Sequence, residues 1–299
     1  MLELEERFAT DEACLEYLFK VRWPEGFRCP HCGHEKAWST KRNLFHCARC
    51  GFQTSVTAGT LFKETRKPLR LWFRAIWHVT NQKYGANALG LQRALGLGSY
   101  HTAWTWMHKL RRAMVRPGRD QLSGTVQADE VYIGGEKPGK RGRGATGKAL
   151  VDIMVELKES RIGRIRLRHV PDASGPSLEG AIKEDIEPGS AVQTDGWGVY
   201  ERLSELGYVH EIIRKEAAVG RNVLPKVNRI AALLKRWLLG TYQGRVEHSH
   251  LDYYLDEYTF RFNRRTSRSR GKLFYRLVEQ AVAISPVREK DIHGGTLSS

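Results

Sequence analysis

Apolar residues follow the helical period in some stretches of the chain and the strand period in others. Cys14, Leu15, Leu18 and Phe19 are spaced for a short helix with Asp11 at its start. From Lys67 onward, Leu71, Phe73, Ile76, Trp77 and Val79 line one helix, with Pro68 in its first turn. A shorter helix over Ala86–Leu95 is followed by the turn Gly96-Leu97-Gly98-Ser99. A third helix, Tyr100–Met114, is capped by Ser99 and turns Trp104, Met107 and Leu110 inward. His101, Thr105, His108, Lys109, Arg111 and Arg112 are left to face outward or to lie at its end. Thr125–Tyr132 alternates instead, with Val126, Ala128 and Glu130 on one face and Gln127, Asp129 and Val131 on the other. Strands over 149–157, 162–170 and 190–194 and helices over 174–186, 225–239 and 250–264 complete an α/β arrangement.

Charge sharpens this outline. Lys and Arg number 49 against 33 Asp and Glu, a formal charge of +16 and a pI near 9.8. Such a balance is the footprint of a nucleic-acid binder. No apolar run is long enough to span a bilayer, and the acidic start Met-Leu-Glu-Leu-Glu-Glu does not read as a signal peptide. A soluble, cytoplasmic protein is expected. Two helices around a glycine-containing turn, the second one basic, fit a helix-turn-helix; a helical linker with a solvated basic face is the plain alternative. The run from Glu136 to Lys148 is rich in Lys, Arg and Gly and is expected to be a mobile loop, either merely solvated or gripping a phosphate backbone.

The cysteines carry the clearest chemistry. Cys29-Pro-His-Cys32 and Cys47-Ala-Arg-Cys50 are paired knuckles, each followed by a glycine, Gly33 or Gly51. Four thiolates at that spacing suit one structural Zn²⁺ in a closed tetrahedral site, which supplies the folding energy of so small a module. Cys14, the odd cysteine, reads as a core residue. An acid at the centre of an alternating strand is costly unless something holds it, so Asp129 is the expected anchor of a metal site. An edge-strand acid facing solvent is the alternative. Asp195-Gly196 ends a strand and by composition alone is a turn signal. Asn228 and Lys235 stand seven apart on one helix, about 10 Å along one face.

Several of these pieces together resemble a known family. The ribbon Cys29–Cys50, the strand Ala128-Asp129-Glu130-Val131-Tyr132-Ile133-Gly134-Gly135, and Gln193-Thr194-Asp195 carry part of the likeness. The runs Leu234–Tyr242 and Tyr254–Arg265 are its most specific part. The chain resembles the DDE-type transposases of bacterial insertion sequences, in the ISXO-like group whose zinc ribbon precedes an RNase H-like domain. The resemblance implies an α+β multidomain protein: a helical lead-in (1–27), the zinc ribbon (28–62), a helix-turn-helix domain (63–116), an RNase H-like domain with a mixed five-stranded sheet (123–284) and a loose tail (285–299). It also implies that Asp129 on the first strand and Asp195 just past the fourth hold two Mg²⁺ ions. Water would then free a 3′ hydroxyl at the element end, and that hydroxyl would attack target DNA. Many relatives carry Glu where this chain has Asn228, while others carry His or Asn. An amide oxygen coordinates Mg²⁺ without bringing charge, so the third ligand is either Asn228 or a substitute acid, Glu257 ahead of Glu216. Lys235 would hold a phosphate near the cut. The implied partners are double-stranded DNA, at element ends and target, and further copies of the chain on that DNA, with the nucleoid as location and no membrane. A DNA-binding regulator or a degenerate transposase that binds without cutting is the competing reading.

Overall fold

A computed structural model of the chain describes residues 2–134, 148–159, 161–213, 223–244, 246–269 and 271–293. Contacts divide the chain into two units, one of residues 1–117 with 268–299, the other of residues 118–267.

The first unit begins with helices α1 (Leu2–Arg7) and α2 (Asp11–Arg22). The side chain of Thr10, one residue earlier than expected, caps α2 by accepting from the Ala13 N–H. Asp11 instead accepts from the Arg70 N–H, at the start of a later helix. Cys14 is fully buried, as its spacing predicts. Three short antiparallel strands follow, β1 (Ala37–Ser39), β2 (Leu44–Cys47) and β3 (Gln53–Ser55). Helices α3 (Leu69–Asn81), α4 (Ala88–Leu95) and α5 (Tyr100–Ala113) complete the N-terminal part. Gly96, at φ +62°, closes α4 in the left-handed region that the turn requires. Ser99 occupies the N-cap position of α5 but makes no side-chain cap hydrogen bond.

Half of the expected outward face of α5 is covered, while His101 stays exposed and Lys109 and Arg112 partly exposed. Thr105, His108 and Arg111 are buried, and Trp106 stacks on Trp72 of α3 with ring centres 3.9 Å apart. The reason lies far along the sequence. Helix α9 (Gly271–Ala283) packs on α2, α3 and α5, and α10 (Glu289–His293) packs on α5, where Glu289 reaches His101 at 3.2 Å. A span running to 284 therefore ends too late for the second unit, and the expected loose tail holds α10, whose Ile292 is buried. The aromatic side chains of Phe8, Tyr17 and Phe73 meet Phe274 and Tyr275 of α9, and this apolar area ties the two ends of the chain into one core.

The second unit is a five-stranded mixed sheet of β4 (Thr125–Ile133), β5 (Ala149–Lys158), β6 (Arg161–Val170), β7 (Ala191–Thr194) and β8 (Val209–Ile212). Its order is β6-β5-β4-β7-β8, antiparallel through β6, β5 and β4, and parallel from β4 to β7 to β8. Helix α6 (Gly175–Asp185) covers one face, packing Leu178 and Ile182 against Val126, Ala128 and Met154. Helices α7 (Pro225–Tyr242) and α8 (Leu251–Asn263) cover the other, over Val151, Ile153, Val155 and Ile133. The alternation of β4 is as the sequence predicts: Val126 and Ala128 face α6, while Val131 and Ile133 face α7 and α8.

Candidate metal centres

The four cysteines converge. Their sulfurs all lie within 4.8 Å of one another, with Cys29 to Cys50 at 3.7 Å and Cys32 to Cys47 at 3.5 Å. A tetrahedron with zinc–sulfur bonds of about 2.3 Å has edges of about 3.8 Å, so the donor set fits zinc. The two knuckles are built alike. Gly33 N–H donates to the Cys29 carbonyl and Cys29 N–H to the His34 carbonyl; Gly51 N–H donates to the Cys47 carbonyl and Cys47 N–H to the Phe52 carbonyl. Gly33 and Gly51 take φ of +73° and +70°, which a side chain would strain. Desolvation pushes the Cys47 thiol up, but the amides of Cys50 and Arg49 and the neighbouring thiols outweigh it and lower the thiol, while at Cys50 the Phe52 amide is outweighed by desolvation and the neighbouring thiols, which raise it. A thiolate there is the form that a metal takes.

The second candidate centre lies on β4 and just past the end of β7. Strands β4 and β7 run parallel, and their register ends with Gln127 level with Gln193, two residues before Asp129 and Asp195. Adjacent strands lie about 4.8 Å apart. Asp129 is partly exposed and its Oδ1 accepts from the Glu130 N–H. Asp195 is exposed just past β7, its Oδ1 accepting from the Trp197 N–H, and Gly196 turns the chain at φ +82°. Beneath this level a polar ladder crosses three strands: Gln127 donates to Gln193, and Gln193 donates to Glu211 of β8. The same Gln127 accepts from the Lys226 N–H in the first turn of α7. Asn228 and Asp129 each lie two residues beyond that contact, on α7 and on β4. No sequence pattern singles out this ladder, because glutamines in strands carry no motif.

Asn228 and Lys235 are both exposed on α7, and the Asn228 side-chain nitrogen donates to the Leu224 carbonyl. Although Lys235 is exposed at the surface, partial desolvation by its surroundings and the like charge of Lys148 hold it below its ordinary value. Lys148 lies where the basic run enters β5. The rest of that run, 136–147, lies outside the described residues, as does Glu216.

Glu257 is placed differently. It is fully buried in α8, accepting from Arg261 Nε at 2.8 Å and from the Tyr242 hydroxyl at 3.0 Å. Helix α8 packs over β6, two strands from β4. Its charge is already matched by a partner nearly as buried. Among the described residues, no third His, Cys, Asp or Glu joins Asp129 and Asp195 in a close metal-ligand group. The reverse face of β4 holds Glu130, which accepts from the Tyr200 hydroxyl, and across the strand pair from it Asp152, fully buried with neither carboxyl oxygen hydrogen-bonded.

Comparison with known proteins gives three findings. Residues 121–263 match the ISXO2-like transposase domain and residues 9–53 match the transposase zinc-ribbon domain. The first match spans the whole sheet with α6, α7 and α8, and it implies an RNase H-like fold, with which the mixed five-stranded sheet agrees. The chain is 24% identical over 215 residues to a protein named as uncharacterized in the transposable element ISH50 of Halobacterium salinarum, covering 66% of this chain and 71% of the relative. A chain of the simian T-cell lymphotropic virus intasome in complex with PP2A regulatory subunit B56 gamma aligns at 14% identity and a TM-score of 0.35, over 62% of this chain and 70% of that one. That likeness is too loose to carry an argument. No described helix is long and apolar enough to cross a membrane.

Proposed function

We propose that this chain, a member of the zinc-ribbon ISXO2-like transposases by both of its domain matches, binds the ends of its mobile element and cuts and joins DNA strands there. The observation that carries the reading is the parallel pairing of β4 and β7, which ends with Gln127 opposite Gln193, two residues short of Asp129 on β4 and of Asp195 just past β7. Two carboxylates so placed are hard oxygen donors of the kind that Mg²⁺ takes. Two bound magnesium ions would activate the attacking oxygen and offset charge on the leaving one. Asp129 and Asp195 fix where those oxygens stand, since one sits within a strand and the other on a tight turn held by Gly196. Asn228 adds a neutral oxygen donor from α7, whose first turn is tied to β4 through Gln127. Lys235 holds a phosphate near the scissile bond, with the positive charge of Lys148 acting on it. Glu257 is assigned to the Tyr242–Arg261 pairing and not to the metal.

DNA capture is assigned to the first unit and to the excess of basic residues. Helix α5 offers its exposed N-terminal end for this, at Ser99, Tyr100 and His101, while Thr105, His108 and Arg111 of its middle are buried. The test is strand cleavage of element-end duplexes with Mg²⁺ as the titrant, comparing the wild type with Asp129→Ala and Asp195→Ala. Loss of cutting with retained end binding supports the reading, and cutting by either variant at the wild-type rate refutes it. A second reading, binding without cutting, rests on one observation: the third position carries an amide in place of an acid.

A further inference from the structure

The outer face of the ribbon sheet carries aromatic side chains that its core does not use. On the inner side Phe45 packs among Phe19, Trp23 and Phe27, and that contact supplies the ribbon with its apolar interior. On the outer side Trp38, His46 and Gln53 form one row across β1, β2 and β3 by register. The Trp38 indole lies nearly parallel to the His46 ring, at 15° and 5.5 Å between centres, yet Trp38 stays 55% exposed. Beside the second knuckle Phe52, 41% exposed, is stacked on His31 at 12° and 5.4 Å. Each exposed ring is thus held flat by a histidine on one face while much of its surface remains in water. Leaving a tryptophan there forgoes substantial apolar burial.

The charge around these rings is of one sign. Residues 28–53 hold Arg28, Lys36, Lys41, Arg42 and Arg49 against the single acid Glu35, and all five cations are exposed. Four thiolates on a divalent zinc leave a formal negative charge that is smaller than this excess. A flat aromatic platform among exposed cations matches a nucleobase and its phosphates, since every base offers a π-face and every linkage an anion. A base inside a duplex has both faces covered by its neighbours, so the platform suits an unpaired one.

We propose that the ribbon binds unpaired, single-stranded nucleic acid, with Trp38 stacking on one base and Lys36, Lys41, Arg42 and Arg49 following the backbone. The choice of partner rests on the DNA-acting reading above. The assignment of this face is new to it.

The test uses the full-length zinc-loaded protein and three labelled probes: an oligothymidylate about 15 nucleotides long, its abasic counterpart, and a blunt duplex. Trp38→Ala is expected to raise Kd for the oligothymidylate by about 5- to 150-fold, the range for one base stacked on an aromatic ring. The increase should be similar at every salt concentration, because the contact carries no charge. Binding to the abasic probe and to the duplex should stay within about twofold of wild type. Arg42→Ala should instead lower the salt slope by about 0.7 on single strands. If Trp38→Ala loses zinc, the pair Trp38→Tyr and Trp38→Leu replaces it, with Tyr retaining the affinity and Leu losing it. Equal loss on duplex and single strand, equal loss on the abasic probe, or no loss at all, as for a face that docks a protein, overturns the inference. Failure of Asp129→Ala to lose cleavage would sink the proposed chemistry and leave this measurement standing.

Discussion

Two residues compete for the third position beside Asp129 and Asp195, and the structure separates them by what each would lose. In Glu257→Gln a fully buried charge disappears from a pair whose other member, Arg261, is only 13% exposed. Removing one partner of a buried ion pair costs about 3–5 kcal/mol, because the remaining charge is left without compensation. For a unit of this size each kcal/mol lowers Tm by about 2–4 °C, so a fall of about 6–20 °C is expected. Asn228→Ala has the opposite profile. Asn228 is exposed on α7, and its side-chain bond to the Leu224 carbonyl is local. Alanine is the better helix former by up to about 0.7 kcal/mol, which offsets that bond and leaves Tm nearly unchanged. Cleavage should instead fall about 100-fold or more, the scale of losing one group that stabilises charge developing in a transition state. Asn228→Glu, which restores an acid on the same helical face, should cut at least as well as wild type. Differential scanning fluorimetry and single-turnover cleavage on the same preparations give both numbers. An Asn228→Ala variant that cuts at the wild-type rate, or a Glu257→Gln variant that melts normally and cannot cut, would show that the assignment is reversed.

The remaining expectations concern the supports of the two centres. A Cys47→Ala, Cys50→Ala double variant should lose its zinc, measured by metal analysis, and should become sensitive to protease within 28–55; zinc retained in full would refute the site. Gly196→Ala forces a side chain at φ +82° and brings its Cβ to 2.6 Å from Ile212 Cγ2. It should lower Tm by about 2–8 °C from about 1–2 kcal/mol of strain and slow cleavage by displacing Asp195, whereas unchanged melting would show that the turn relaxes freely. Burial, with Glu130, Asp185 and Asp129 nearby, raises the Asp152 carboxyl well above its ordinary value. A folded value above the unfolded one of about 3.9 means stability that is fully present below that pH and is lost as pH rises through the folded value. The Tm of Asp152→Asn relative to wild type should therefore climb from about pH 4 upward, and a difference flat in pH would contradict the raised carboxyl.

What the sequence made legible was local. The ribbon could be read because two knuckles with glycine after each are complete within 23 residues of chain. The faces of β4 could be read because alternation is a property of neighbours. Half of the outward face assigned to α5 failed because its partners, α9 and α10, enter some 160 residues later, and helical period says nothing about a second helix covering the polar side. Thr105, His108 and Arg111 are polar yet buried. The buried pair Glu257–Arg261 was invisible as a pair, since an i, i+4 spacing of acid and base is as common on a solvated face. The expectation that Asp129 pairs with Asp195 rests on family likeness, because no rule of spacing relates two residues 66 apart.

The most direct measurement is cleavage of an element-end duplex by Asp129→Ala and Asp195→Ala across a Mg²⁺ titration, with end binding followed in parallel by anisotropy. Both variants are expected to bind as the wild type does and to leave the strand uncut at every Mg²⁺ concentration. Cutting by either variant at the wild-type rate would contradict the account.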